Sequence, residues 1–259
     1  MRTAVAIIAC LVALVIIIRP LENKISAHRA QLQHGGVRIT ADIRERIGQG
    51  MAIGLLAGFR GVVADFLWIN NHGYWERYEW IRMYRNMELC TTLQPRAITF
   101  WDIGSWHMAW NISYAASIDP ANRTRTEALK REREWIEAGR AFLEEGTKHN
   151  ADRWELFHAL GMLHWQKRKD QCAARDAFRQ AAAFPNAPSY TLRMYVRRVE
   201  MCDGPEAAYR LWKEYWRNGN PEPRNDGIDL RGAIARELRR LEEQLDIPVA
   251  DRLIRDPPA

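Results

Sequence analysis

Residues 3–18, TAVAIIACLVALVIII, form one uninterrupted apolar block. Downstream of it, apolar positions recur every three or four residues, as in Phe157, Leu160, Gly161 and then Ala174, Phe178, Ala181. That is the period of a helix packed along one face, whereas no hairpin dipeptide is flanked by the alternation a strand requires. The helical pattern breaks at Pro95, Pro120, residues 149–152, residues 185–188, residues 203–205 and residues 218–221, all rich in Pro, Gly, Asn or Asp. An amphipathic, charge-laced stretch covers 230–245. The pattern predicts an all-α chain built from helix pairs: an apolar segment over 1–20, a polar stalk over 21–46 around Gly35 and Gly36, a helical domain over 47–219, and a C-terminal helix and tail over 220–259.

At 1.5 Å per residue the apolar block spans about 24 Å, somewhat less than a hydrocarbon layer of about 30 Å. Arg19 can close the gap by snorkelling. No A-x-A-like cleavage site follows, and the apolar run continues past Cys10, which argues against a cleaved lipoprotein signal. The expectation is an uncleaved single-pass transmembrane anchor in the inner (cytoplasmic) membrane, with the bulk of the chain exported to the periplasmic side. Basic residues flank the block on both sides, so the charge rule itself gives no vote on orientation. Cys172 and Cys202 fall near helix ends, where an oxidising compartment would permit a bridge whose geometry the sequence leaves open. Gly50, Gly54 and Gly58 recur every four residues and stack on one helix face, which permits close approach of a neighbouring backbone.

Phe157, Leu160, Gly161 and His164, followed by Ala174, Phe178, Ala181 and Pro185, resemble the tetratricopeptide repeat, in which an aromatic and Leu-Gly mark the first helix and Ala, Phe, Ala and Pro mark the second. The copy departs from the pattern in carrying His164 where Tyr is usual and one extra residue in the turn. Looser copies begin at Leu67, Asn70, Asn71 and Tyr74 with Met83, Met87, Cys90 and Pro95, and at Trp101, Gly104, Ser105 and Met108 with Ala138, Phe142 and Gly146 beyond an insertion over 119–127. A degenerate copy places Ala208, Trp212 and Tyr215 in second-helix positions. The resemblance covers about residues 64–219 and implies a helix-pair solenoid with a concave peptide-binding face. Carried over residue by residue, that face comprises Asp65, Trp68, His72 and Trp75, then Thr99, Asp102 and Trp106 with Trp110 at its margin, then Glu155, His158, Met162 and Trp165. Trp106 lies about 140° around the helix from Trp101, so the tryptophans divide into a core set and a set that points elsewhere.

The eleven tryptophans give this face weight, because so much indole area serves either dense helix packing or an aromatic binding surface. The net charge of +6 is dispersed among alternating signs and forms no basic stripe, which argues against nucleic acid as partner. No phosphate loop, H-E-x-x-H, G-x-S-x-G or C-x-x-C-H occurs, and His158 and His164 stand too far apart on a helix to share a metal. The glutamates over 132–145 alternate with bases and read as a solvated face. The expectation is a non-enzymatic, cofactor- and metal-free scaffold that binds an apolar or aromatic segment of a protein partner during assembly of an envelope complex. One competing expectation is a ligand-binding or enzymatic pocket where Asp102, His107, His72 and His158 converge. The other is a structural subunit of a membrane complex.

Overall fold

The computed structural model describes residues 58–218 and 230–254. The apolar block, the stalk, Gly50 and Gly54, and the last residues of the tail lie outside the described residues. Every regular element among the described residues is helical, and none of these helices is long and apolar enough to cross a membrane. The chain divides into two compact units, Met1–Ala97 and Ile98–Ala259.

In the first unit, α1 (Arg60–Glu76) packs on α2 (Trp80–Leu93). The seam buries Ala64 and Leu67 against Met83, Met87 and Cys90. It also buries a polar pair: Asn86 donates to the Leu67 carbonyl and to Asn71 Oδ1, the latter at 3.0 Å. Buried amides require such partners, because each unmade bond costs about 1–3 kcal/mol. Asn70, expected beside Asn71 in the repeat pattern, is exposed.

The second unit begins with α3 (Ile98–Trp106), which runs through a π-helical turn (His107–Ile112) into the short α4 (Ser113–Ser117). A loop returns the chain to α5 (Arg125–His149), which packs back on all three segments. Thr124 caps α5 by accepting from Glu127 N–H at 3.1 Å, and the Glu127 carboxylate accepts from the N–H of Arg123, the residue before the cap, at 2.9 Å. Next come α6 (Trp154–Leu163), a second π-helical turn (His164–Arg168), and α7 (Gln171–Ala182), capped by Asp170. The chain continues as α8 (Ser189–Asp203), α9 (Pro205–Arg217) and α10 (Leu230–Gln244). Gly204, at φ +96°, and Pro205 at the first position of α9 make the sharp stop and restart that residues 203–205 predict.

From α5 onward each helix packs on the next, and α3 also touches α6. The sequence-pattern positions explain these seams. A Cβ on Gly161 would stand 2.7 Å from the ring of fully buried Phe178, so the glycine is what lets α7 close on α6. Gly146 plays the same part for Trp101, whose Cγ lies 2.7 Å from the Cβ position. In α5 the seam glycine against Ser105 and Ala109 is Gly139, while Ala138, expected there, is only partly buried. Ala208 and Trp212 of α9 join Leu230, Ile234, Leu238 and Leu241 of α10 in one apolar cluster. The bridge between Cys172 and Cys202 ties α7 to α8 with Cα atoms 5.1 Å apart.

Candidate functional site

In the second unit a cleft of about 430 Å³ opens between α3 and α6. Asp102, Ser105, Trp106 and Trp110 line it from α3 and its π-helical turn. Trp154, Glu155, His158, Ala159 and Met162 line it from α6, Gln166 from the turn that follows, and Tyr190 from the start of α8. The facing residues occupy matching places. Asp102, Trp106 and Trp110 step by four along one helix, as His158, Met162 and Gln166 do along the other.

The last step of each wall, Trp106 to Trp110 and Met162 to Gln166, runs into a π-helical turn. An i→i+5 bond puts more than four residues into a turn, so the wall continues at i+4 where an ordinary helix would alternate three and four. This is why Gln166 reaches the cleft, and Trp165, expected on the groove, does not line it. The Trp165 ring instead lies beneath the Arg198 guanidinium, whose carbon is 4.3 Å from the ring centroid. The extra residue in the turn of this copy is legible in the sequence; its rotation of the wall is not.

The tryptophans do divide into two sets. Trp101 is 5% exposed, stacked on His149 with the Phe142 ring tilted against it, whereas Trp106 is 47% exposed. Trp110 and Trp154 are partly buried at the cleft. None of the residues over 119–127 lines the opening. Trp154 and Tyr190, which the sequence reading did not assign to the groove, present edges to His158 at ring separations of 6.1 and 5.3 Å, and Phe178 lies 5.5 Å behind it. Trp154 opens α6 just beyond the Asn-Ala-Asp break and Tyr190 opens α8, so only the juxtaposition of first helices reveals them.

The electrostatics of the cleft are one-sided. Its lining contains two carboxylates and neither lysine nor arginine. Desolvation pushes the Asp102 carboxyl above the usual aspartate range, and the Glu155 charge adds to the effect. Desolvation works on Glu155 in the same sense, but hydrogen bonds from Arg153, at 3.3 and 2.8 Å, outweigh it and hold that carboxyl low. His158 is pushed down by burial among aromatics, which keeps the imidazole neutral near pH 7. Asp102 and His158 share the cleft without a hydrogen bond between them. His107, also pushed down by desolvation, turns from the lining toward Asn111, 3.1 Å away.

The remaining groove candidates belong to the first unit. Trp68 is partly buried, His72 is exposed and pairs with Glu76 at 3.2 Å, and Trp75 packs edge-on against Trp80 at 5.3 Å. Among the described residues no group of three or more His, Cys, Asp or Glu side chains is arranged to hold a metal ion.

Among the described residues the fold is all-helical, and its site is an aromatic, mildly acidic cleft between α3 and α6. Compared with known proteins, the chain matches no family model, no curated protein and no solved structure.

Proposed function

We propose that this chain is a membrane-anchored, tetratricopeptide-like scaffold whose helix pairs stack as a solenoid and whose concave face captures an extended segment of a partner protein. The observation that carries the reading is the cleft itself, lined by matching positions of α3 and α6 and holding a half-exposed Trp106. Exposed indole area is a solubility liability unless something binds it, and Trp is a common anchor of binding energy at interfaces. Trp106, Trp110 and Met162 supply apolar contact, and Asp102 and His158 supply polar selection. Trp68, His72 and Trp75 of the first unit are, by the same repeat positions, proposed as further partner contacts. The bridge between Cys172 and Cys202 supports an exported domain, because such bonds persist in oxidising compartments. With the apolar block over 1–20 as an anchor, the chain acts at the outer face of the inner membrane, where tethering raises local concentration and modest groove affinity suffices. Assembly of an envelope complex is the corresponding role.

The test compares full-length wild type with Trp106→Ala and Met162→Ala in affinity purification from native membranes, read by quantitative mass spectrometry. The same partner should fall about tenfold or more with either variant while far-UV circular dichroism is unchanged. Equal recovery of every co-purifying protein by all three forms would refute the groove.

A further inference from the structure

We propose that the occupant of this cleft is a polypeptide segment that inserts an arginine side chain, its guanidinium stacking on the cleft's indole faces and pairing with the Asp102 carboxylate. The inference rests on the groove reading above and adds the chemistry of what the groove selects.

Three observations carry it. The first is charge: on a chain of net charge +6, the cleft walls include Asp102 and Glu155 and not one lysine or arginine. Glu155 is satisfied by Arg153 at 2.8 Å, whereas no described side chain pairs with Asp102. The second is the wall material. Trp106, Trp110, Trp154 and Tyr190 line the same cleft as that carboxylate, and an aromatic face attracts a cation most strongly where water is partly excluded. Asp102 is open to an entering group, and a bound cation would lower its raised carboxyl. The third is internal precedent: on the next turn of the chain, the Trp165 ring already holds the guanidinium of Arg198 at 4.3 Å. Arginine is favoured over lysine because its planar, weakly hydrated head stacks and pairs at once.

The probes are nonapeptide pools with randomised apolar flanks and a central residue fixed as arginine, lysine, citrulline or proline. Citrulline keeps the shape of arginine and removes its charge. Binding is read by tryptophan fluorescence on the full-length chain in mild detergent, with Asp102→Asn and Trp106→Ala in parallel. The arginine pool should bind wild type about tenfold more tightly than the citrulline pool. Asp102→Asn should cut that preference several-fold, leaving the part due to indole stacking and the binding common to both pools. Equal binding of arginine and citrulline pools, a stronger response to proline, or a preference undiminished by Asp102→Asn would overturn the proposal. In those cases loss of binding in Trp106→Ala would leave the groove reading standing. Binding unchanged by Trp106→Ala would remove both.

Discussion

Removing the bridge between Cys172 and Cys202 tests the account of the second unit most directly. The two cysteines are separated by 30 residues, and closing a loop of that length removes about 3.6 kcal/mol of entropy from the unfolded chain. The folded side should change little. Cys172 is exposed, and the α7–α8 seam is held independently by Phe178, Ala181, Leu192 and Val196, each at most 1% exposed. Burying side chains of this size is worth about 1.5–3 kcal/mol each for the larger ones. A local ion pair also survives, since Arg175 bonds Asp203 at 2.6 Å. The Cys172→Ala/Cys202→Ala variant, or wild type under reductant, should therefore keep its helical circular dichroism in buffer. It should unfold at a urea midpoint lower by about 1.8 M, taking a slope of about 2 kcal/mol per M. Cys90 does not confuse the reductant arm: burial pushes its thiol up to about 12, and its Sγ faces the Ala64 carbonyl at 3.4 Å. An unchanged midpoint would refute the unfolded-state argument. Collapse of helicity in buffer would refute the claim that packing alone holds the pair.

Further outcomes follow from the same geometry. Trp101→Ala should lose about 3–5 kcal/mol, because its indole fills the space against Gly146 and Phe142, whereas Trp106→Ala should leave the melting temperature within about two degrees; urea denaturation and thermal melts separate the two. Gly161→Ala gains helix propensity but drives a methyl into Phe178, so a net loss of about 1–2 kcal/mol is expected, with partial recovery when Phe178→Leu is added. His107, His158 and His164 all have lowered values through desolvation, so the unfolded chain takes up protons first. Their contribution is complete above the ordinary histidine value of 6.5 and is lost as pH falls below it, and a melting temperature that stays level from pH 7 to 5 would contradict this. Asp102 has the opposite sign: its raised carboxyl costs stability at neutral pH and nothing below its ordinary value of 3.8, and because the residue is exposed, solvent screening keeps the cost small. Asp102→Asn should then melt only slightly higher than wild type at pH 7, with the gap closing in acid.

Much of the helical architecture was legible because it follows from local chemistry. The three- and four-residue period of Phe157, Leu160, Ala174 and Phe178 and the Gly204-Pro205 stop each act within a turn or two of chain. The separation of Trp101 from Trp106 needed only the angular step of a helix. The cleft was legible in part: Asp102, Trp106, Trp110, His158 and Met162 meet along one wall pair. Trp154 and Tyr190 joined them, and Trp165 left, for reasons no local pattern contains. The former depend on which helix ends come side by side, and the latter on a π-helical turn that changes the phase of the wall. Likewise the sequence provided two cysteines near helix ends, but the bridge required α7 and α8 to bring their Cα atoms within 5.1 Å. Periodicity determines which face of a helix is buried, because that depends on residues a few positions apart. What the opposite face meets depends on contacts between residues tens of positions apart, and these exist only once the helices have packed.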